Sequence, residues 1–453
     1  MSQGSNQSIS SAVIRSRAAR AVAAVIRDNR TTDWLQEYRP EWITHPLSRA
    51  LTYGALRHYF GLAELVDNHL KKPLKSKDLD IYALLLVGAY QLKLLNTPDH
   101  AVINETVSAA SKLRKPWAKG LVNAVLRNIN ATEQSLDSTS IFSPVFRELL
   151  ENQSSTASLL PELSQACQLR APMWLRISVS QVSVERYLLA LTDQGVSFSQ
   201  PFPNELPETI RLHEPMSAIN LPGWDKGWVS VQDIGAQFAC LLTHPQKQKR
   251  ILDACAAPGG KLFHLLDRLH DPGYTDKDIE VDALEINPSR AAYLNTEASR
   301  LGHTIRILKG DATSDNWWDH SLYDTILVDA PCSGTGTTRR HPDLQILLQT
   351  QDIPKHAQLQ ANLLNNLWPK LKIGGTLLYS TCSILELEND QVVTNFRDQN
   401  PDAALLSVEL PRGKATQCGW QTTPIDDCDG FYYALLMRTP PNPLEIHQEQ
   451  ISR

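Results

Sequence analysis

From residue 228 onward, short apolar runs alternate with segments of helical character. "RILDACAAPGGKLFHLLDRL" has the pattern of a strand, a glycine loop and a helix, and "IEVDALEINPSRAAYLNTEASRLG" repeats that unit. "TIRILKGDAT" and "DTILVDAPC" add two strands, "HAQLQANLLNNLWPKL" a helix, and "GGTLLYSTC" and "GFYYALLMR" two further strands. Strands that alternate with helices favour a parallel sheet with helices on both faces. Residues 228–439 are therefore predicted to form an α/β domain of the Rossmann-like kind.

The front of the chain has a different pattern and is predicted to be all-helical over residues 8–131. In its first segment Ile14, Ala18, Val22 and Val25 recur at helical spacing, which places the arginines of that segment on other faces. Further helical segments follow, separated by "KKPLKSK", "NTPD" and "RKP", which are typical helix breakers.

Two shorter regions join these parts. Residues 132–165 are rich in Ser, Thr and Gln around one apolar helix and are predicted to be a helical connector. Residues 166–227 contain "PMWLRISVSQVSVERYLLALTDQGV", a strand, a turn and a helix, and "TIRLHE", another strand. They are predicted to form a small α+β subdomain, so that the whole chain is multidomain. No internal repeat is apparent.

Composition excludes several classes of protein. The 453 residues are 42% apolar and 21% charged, as in ordinary globular proteins. Seven cysteines without a CxxC pair favour a reducing compartment and argue against a structural zinc site, so no metal is expected. The apolar run "IYALLLVGAYQLKLL" is interrupted by Lys93 and is shorter than the ~20 residues of a membrane span. We expect a cytoplasmic monomer that does not bind membranes.

The N-terminus leaves one alternative open. "MSQGSNQSIS" lacks the charged start and apolar run of a secretory signal. "SAVIRSRAARAVAAVIR" is rich in Arg and Ser and free of acids, as organelle-targeting helices are. An amphipathic helix of the first domain is the favoured explanation, because later motifs tie this segment to a folded domain.

Charge is distributed unevenly along the chain. Residues 1–131 hold 18 Lys and Arg against 10 Asp and Glu, whereas the remainder holds 26 against 39, for a net charge of −5. A basic front on an acidic body suggests that the front meets a polyanion.

Four acidic residues end successive predicted strands: Asp253, Glu285, Asp311 and Asp329. The first is followed by "APGGK", a glycine turn that matches neither GxGxxG nor a P-loop. The carboxyl ends of parallel strands meet at one edge, where ligands bind, and a carboxylate there can accept the hydroxyls of a ribose. Helix capping is the alternative for each acid taken alone.

Taken in order, these segments resemble a known family. "DACAAPGGK", "ALEIN", "GDAT", "DAPCSGTGTTRRHPD", "YSTCSILELEND" and "DGFYYALL" resemble the motif series of RNA cytosine-5 methyltransferases. "PDHAVINETV" and "KGLVNAVLRNI" resemble the NusB-like RNA-binding domain of the 16S ribosomal RNA methyltransferases of the RsmB (Sun/Fmu) type, and "PMWLRIS" and "VSVQDIGAQ" resemble the segment between the two domains. The similarity covers nearly the whole chain.

The sequence departs from the family pattern at three places. Leu262 stands where Thr is usual, and Glu285 stands where Asp is common. The usual Pro-Glu-Glu-Asn becomes "LELEN" over residues 385–389, with Glu388 and Asn389 retained. Either carboxylate can accept two hydroxyl hydrogen bonds, so the change at position 285 leaves cofactor binding intact.

The resemblance implies S-adenosylmethionine as methyl donor and a set of residues that bind it. That set is Asp253, Cys255, Ala256, Ala257, Pro258, Gly259, Gly260, Lys261, Glu285, Asp311 and Asp329. Asp329 is also expected to bond the amino group and N3 of cytosine. Lys261 is expected to touch the edge of the substrate or of the cofactor.

The resemblance also assigns two cysteines. Carbon 5 of cytosine is a poor nucleophile until a thiolate adds to carbon 6, which is covalent catalysis. Cys382, in "YSTCS", is expected to be that nucleophile. Cys332, in "DAPCSG", is expected to act in release, as a base or by positioning one.

The expected partner is 16S ribosomal RNA, free or in an early small-subunit particle. Basic residues on the helical front and after the Cys332 loop could contact its phosphates: Arg15, Arg57, Lys119, Arg127, Arg339, Arg340 and His341. Solvated helix faces are the alternative for each. Two other functions stay open, the same reaction on tRNA or another RNA and an inactive RNA-binding assembly factor. Both cysteines, Asp253 and Asp329 are present, which argues against the inactive protein.

Overall fold

The structure is a computed structural model that describes residues 9–133, 136, 141–243, 250–269 and 279–440. The first residue of the expected helical domain, part of the expected connector and the N-terminal segment "MSQGSNQS" lie outside these ranges. Among the described residues, no helix has both the length and the apolar character that crossing a membrane requires.

The front of the chain is helical, as predicted. Its helices are α1 (Ser11–Asp28), α2 (Thr32–Tyr38), α3 (Pro40–Ile43), α4 (Pro46–Arg57), α5 (Tyr59–Asp67), α6 (Leu79–Leu94), α7 (Asp99–Lys112), α8 (Lys119–Ala131), α9 (Pro144–Glu151) and α10 (Leu160–Gln168). The expected connector thus contains α9 and the start of α10 where one helix was predicted.

Helix α1 is buried on more than one side. Ile14, Ala18, Val22 and Val25 are buried, as the spacing predicted. Because α1 packs on α4, α6 and α7, its other faces are covered too. Arg15 is only 4% exposed, so its burial fits neither the expected contact with RNA phosphate nor the alternative of a solvated helix face.

The small subdomain is built on a four-stranded antiparallel sheet in the order β2-β3-β1-β4. Its elements are β1 (Met173–Ile177), α11 (Val184–Asp193), β2 (Phe198–Ser199), β3 (Thr209–Leu212) and β4 (Val229–Val231). All five residues of β1 are buried, because it is a central strand with both faces covered. Strand β4 lies just beyond residue 227, the expected end of this subdomain.

The C-terminal part is built on a second sheet, in the order β11-β12-β13-β9-β8-β5-β6-β7, with β10 paired to β13. Its strands are β5 (Arg250–Asp253), β6 (Glu280–Glu285), β7 (Arg306–Lys309), β8 (Tyr323–Asp329), β9 (Leu371–Thr381), β10 (Ala403–Leu406), β11 (Lys414–Ala415), β12 (Trp420–Gln421) and β13 (Tyr432–Arg438). The remaining helices are α12 (Ile234–Gln237), α13 (Ala239–Leu242), α14 (Gly260–Leu269), α15 (Pro288–Leu301), α16 (Leu344–Leu347), α17 (Ile353–Leu367) and α18 (Asp390–Gln399).

This sheet is parallel only in part, which corrects the prediction of a parallel sheet. Strands β7, β6, β5, β8 and β9 run parallel, but β13 pairs antiparallel with β9 and continues into antiparallel β10 and β12. An antiparallel edge on an otherwise parallel sheet is common. The apolar pattern of "GFYYALLMR" predicts a buried strand but carries no information on its direction.

By its contacts the chain divides into two compact units. One comprises residues 1–170 together with residues 338–349, and the other comprises residues 171–337 and 350–453. The segment that follows the Cys332 loop in sequence therefore belongs to the helical unit. Asp343, at the start of α16, accepts hydrogen bonds from the backbone N–H and the hydroxyl of Thr32, at 2.9 and 2.8 Å.

Candidate active site

The four predicted acids meet at one edge of the large sheet. Asp253, Glu285 and Asp329 are the last residues of β5, β6 and β8, and Asp311 lies two residues beyond the end of β7. These strands are neighbours in the order β8-β5-β6-β7 and run parallel, so their carboxyl ends lie side by side. The prediction of a common edge is confirmed.

The glycine loop between β5 and α14 makes a turn that requires glycine. Gly259 has a φ of 100°, and a Cβ at that position would lie 2.3 Å from the Phe263 ring. Only glycine fits this conformation and this space. Helix α14 begins at Gly260, so its N-terminal amides follow directly after the loop.

Asp253 is buried at the centre of this edge, 2% exposed. Its Oδ1 accepts the backbone N–H of Cys255 at 3.3 Å. Burial, and after it the neighbouring Asp329 carboxylate, raise the pKa of Asp253 to about 7. Burial likewise raises the pKa of Cys255 well above its ordinary value. Asp253 therefore changes its charge close to neutral pH.

Glu285 and Asp311 are held by short local contacts. Glu285 is 3% exposed, and its Oε1 accepts the backbone N–H of Asn287 at 2.9 Å. Its Oε2 has the Arg290 guanidinium at 3.8 Å, beyond hydrogen-bond distance. Asp311 accepts the backbone N–H and the hydroxyl of Thr313, both at 2.8 Å. Glu285 therefore keeps one oxygen available to hydroxyl donors.

Asp329 is oriented by two neighbours. The Lys261 ammonium lies 2.6 Å from its Oδ1, and the Ser380 hydroxyl donates to the same oxygen at 3.1 Å. Lys261 itself is 7% exposed and lies over the Phe431 ring, 4.8 Å from the centroid. A carboxylate that is held by a buried cation has a defined direction and charge.

The two predicted cysteines lie together. Cys382 directly follows β9 and Cys332 lies three residues past the end of β8, and the two sulfurs are 3.4 Å apart. Both side chains are half-buried and both are free thiols. The contact with Cys382, followed by burial, raises the pKa of Cys332 well above its ordinary value. Cys332 is therefore a neutral thiol at neutral pH.

Arg176, on β1 of the small subdomain, was not singled out by the sequence. It is fully buried and donates to the carbonyl oxygen of Gly260 at 2.5 Å and to Oε1 of Gln232 at 2.8 Å. Asp267, on α14, lies 3.6 Å from its guanidinium. The small subdomain thus supports the start of α14. The arginine in the middle of the apolar run "PMWLRIS" is the sequence feature that could have indicated a buried structural role.

A buried cluster of Glu208, Cys240 and His264 has the side chains of a metal site, the one such group of three among the described residues. Its contacts describe an ion pair instead. Burial lowers the pKa of His264, so that the neutral ring can donate to Glu208 across 2.7 Å, while the Arg268 guanidinium donates to the same oxygen at 2.8 Å. Arg268 already supplies the positive charge that a metal ion would bring.

The candidate RNA contacts differ in how exposed their side chains are. Lys119 and Arg127 are exposed on α8. Arg57 is half-buried and donates to the carbonyl oxygen of Arg339 at 2.9 Å, while Arg339 is only 3% exposed. Arg340 and His341 are half-buried. The structure therefore leaves Lys119 and Arg127 as the exposed members of the set, and burial removes Arg15 and Arg339 from the surface.

Three family models match the chain. "16S rRNA methyltransferase RsmB/F" matches residues 240–437, the NusB family matches residues 12–131, and a ferredoxin-like domain of the same methyltransferases matches residues 157–219. The order of these domains is the order predicted from the motifs.

Curated proteins match over most of their length. The chain is 38% identical over 407 residues to the probable ribosomal RNA small subunit methyltransferase B of Coxiella burnetii, covering 87% of this chain and 92% of that protein. It is 36% identical to ribosomal RNA small subunit methyltransferase B of Vibrio vulnificus, covering 89% and 93%.

Solved structures share the fold. The crystal structure of PH0851 has a TM-score of 0.79 at 21% identity and covers 93% of this chain and 99% of its own. NSun6 from Pyrococcus horikoshii with SFG has a TM-score of 0.58 at 17% identity, covering 66% and 99%. Given the curated relatives and the matching domain models, the chain belongs to the RsmB/F family of 16S ribosomal RNA methyltransferases.

Proposed function

We propose that the protein methylates carbon 5 of a cytosine in 16S ribosomal RNA, with S-adenosylmethionine as donor and Cys382 as covalent nucleophile. The observation that carries the proposal is the pair of sulfurs at the ends of β8 and β9, 3.4 Å apart. Methyl transfer to an oxygen or to an exocyclic nitrogen needs no thiol, whereas activation of carbon 5 needs one thiol to add and a second group to complete the release.

The proposed reaction consists of an addition, a methyl transfer and an elimination. The Cys382 thiolate forms a bond to carbon 6 of cytosine, and the electrons of the 5,6 double bond become available at carbon 5. Carbon 5 then forms its bond to the methyl group, while the bond between that methyl group and the donor sulfur breaks and leaves its electron pair on the sulfur. Loss of the carbon-5 proton to a base restores the double bond, and the carbon 6–sulfur bond breaks to return the thiolate.

Cys332 suits the release step because its environment changes during the reaction. The contact with Cys382 is the largest cause of its raised pKa. Once the Cys382 sulfur is bonded to carbon 6 it carries no thiol proton or thiolate charge, so this cause of the raised pKa of Cys332 is removed. Cys332 can then lose its own proton to solvent and accept the carbon-5 proton, or position the group that does.

Asp329 supports the addition step. Lys261 and Ser380 hold its carboxylate at the strand end that leads into the Cys332 loop. A fixed carboxylate can accept a hydrogen bond from the amino group of cytosine and hold a proton at N3, which stabilises the charge that develops in the ring.

The residues of the crevice fit the proposed donor, which supplies the methyl group when bound. The loop after β5 can turn sharply into α14 because Gly259 adopts a positive φ. Glu285 offers a buried carboxylate oxygen for ribose hydroxyls, and Asp311 lies at the end of the next strand. Asp253 offers a buried carboxylate that can ionise near neutral pH, which suits a cationic ligand.

Bisulfite mapping of 16S RNA tests the reaction and its position together. RNA from a strain without the gene should lose one protected cytosine, and a plasmid copy of the wild-type gene should restore it. A copy that carries Cys382→Ala should not restore it. Unchanged protection in the deletion strain, or loss of protection in tRNA alone, would refute the proposed substrate. Restoration by the alanine variant would refute the nucleophile.

A further inference from the structure

Glu388 is a fully buried carboxylate next to the two cysteine loops. It lies in a short 3-10 turn, Glu386–Glu388, that follows β9. Its Oε1 accepts the backbone N–H of Ser333 at 2.8 Å and the side-chain amide of Gln360 at 3.3 Å. Its Oε2 accepts the hydroxyls of Ser333 and Ser383, at 2.5 and 2.6 Å. These four donors are all neutral.

Most of these donors belong to the two residues that directly follow the cysteines. Ser333 follows Cys332 in sequence and Ser383 follows Cys382, so one carboxylate is bonded to the residue after each cysteine. The two loops also bond each other, because Thr335 lies 3.0 Å from Ser383 through their hydroxyls and the N–H of Gly336 donates to the carbonyl of Cys382 at 2.9 Å. Glu388 thus joins two loops that leave different strands.

Keeping an ionised carboxylate in such a place is costly unless its hydrogen bonds are complete. A neutral side chain could join the loops with a smaller desolvation cost. The contact with Cys382 and burial are the largest causes of the raised pKa of Cys332, and the negative charge of Glu388 raises it further. The charge therefore acts on one of the two thiols as well as on the loops.

We propose that Glu388 is a positioning residue for both cysteines: its carboxylate holds the two loops so that the sulfurs stay in contact. Its negative charge also favours the thiol form of Cys332. This inference rests on the proposed roles of the cysteines in methylation. Two of its tests, cross-linking and alkylation, use the free protein without RNA or methyl donor, so that they remain decisive if the covalent mechanism fails.

Glu388→Gln separates charge from geometry. Oε1 accepts only N–H donors and Oε2 accepts only hydroxyls, which can rotate and accept instead. A glutamine amide with its oxygen in place of Oε1 and its NH₂ in place of Oε2 therefore keeps every hydrogen-bond partner, although the charge is lost. Glu388→Ala removes both the charge and the hydrogen bonds. Asp390→Asn, two residues along the chain, is the matched control, because Asp390 bonds Thr416, Cys418 and Tyr432 but neither cysteine loop.

Disulfide formation measures the distance between the sulfurs. With glutathione disulfide as oxidant, two thiols are oxidised to one disulfide and the oxidant is reduced to two glutathiones; the cross-linked peptides are counted by mass spectrometry. We expect the wild type, Glu388→Gln and Asp390→Asn to cross-link Cys332 to Cys382 readily. Glu388→Ala should do so about tenfold more slowly, because only close, well-directed sulfurs can bond.

Alkylation by iodoacetamide over a range of pH measures the charge effect. The midpoint for Cys332 should fall by about one pH unit in Glu388→Gln and stay in place in Asp390→Asn, because a nearby like charge disfavours the thiolate. Methylation by Glu388→Ala should fall at least as far as its cross-linking does.

Three results would each overturn the inference: cross-linking of Glu388→Ala at the wild-type rate, an unmoved Cys332 midpoint in Glu388→Gln, or full methylation by Glu388→Ala. If Glu388→Ala does not fold, Ser383→Ala takes its place, because it removes the hydroxyl through which both Glu388 and Thr335 hold the Cys382 loop. Its cross-linking should be several-fold slower than that of the wild type, and an unchanged rate would count against the proposal.

Discussion

At the scale of single residues, the acids of the crevice differ in their surroundings although they share one sheet edge. Asp253 is buried beside another carboxylate, while Asp329 is held by a lysine. The sequence could predict that these acids end successive strands, because strand periodicity shows where each strand stops. It could not predict the raised pKa of Asp253 or the bond between Asp329 and Lys261, because both depend on how closely the strands' ends pack.

The titration of Asp253 predicts how donor binding depends on pH. S-adenosylmethionine carries a sulfonium charge, which favours the ionised carboxylate. Since the pKa of Asp253 in the free protein is about 7, affinity should rise from about pH 6 to about pH 8, with release of a proton on binding. Calorimetry in buffers of different ionisation enthalpy measures both. In Asp253→Asn the proton release should vanish; the same release in this variant would contradict the assignment.

Removal of the Glu285 carboxylate is expected to lower the affinity for the methyl donor without changing the fold. Glu285→Ala should weaken donor binding by about 1–3 kcal/mol, because ribose hydroxyls lose a charged acceptor. Glu285→Asp should have a mild effect, since the carboxylate remains. Calorimetry measures both, and an affinity of the alanine variant equal to that of the wild type would reject the ribose contact.

At the scale of elements, residues 338–349 are the part that sequence reasoning placed least well. Helices and strands with a clear period, such as α1 and β9, were predicted because each carries its own apolar pattern. The short α16 has no such pattern, and the partner of Asp343 is Thr32, 311 residues away in sequence. A segment of twelve residues that folds with a distant helical unit leaves no local signal.

The Asp343 contact predicts a measurable loss of stability. Thr32→Val removes the hydroxyl that donates to the buried Asp343 carboxylate. Leaving that oxygen unpaired should lower the free energy of unfolding by about 1–3 kcal/mol. Urea unfolding followed by circular dichroism measures it. Thr44→Val, which removes an exposed hydroxyl bonded within its own helix, is the control and should change little. Equal midpoints for the two variants would contradict the contact.

At the scale of the whole molecule, both the uneven charge of the sequence and the burial of individual arginines determine which surface can bind RNA. The basic excess of residues 1–131 is a property of the sequence, but burial shows that Arg15 does not contribute to an RNA surface. Deleting residues 1–131 would also remove the partner of Asp343. Reversal of exposed charges is therefore a cleaner experiment than truncation.

Reversal of Lys119 and Arg127 to glutamate should weaken RNA binding and make its dependence on salt less steep. Two lost phosphate contacts should reduce the slope of log K against log salt by about 1–2, while donor affinity stays the same. Filter binding at several salt concentrations measures it. Lys355→Glu, an exposed lysine of α17 paired with Asp352, is the control. A double variant with the wild-type slope would place the RNA elsewhere.

The division of work between the two cysteines is tested most directly by trapping the covalent complex. Cys332→Ala, mixed with 16S RNA and S-adenosylmethionine, should form the bond between Cys382 and carbon 6 and then stall before release. A slowly migrating protein–RNA band should therefore appear on a denaturing gel. Cys382→Ala and the double variant should bind RNA and give no such band. A band from Cys382→Ala with none from Cys332→Ala would reverse the two roles, and continued methylation by Cys382→Ala would contradict the covalent mechanism itself.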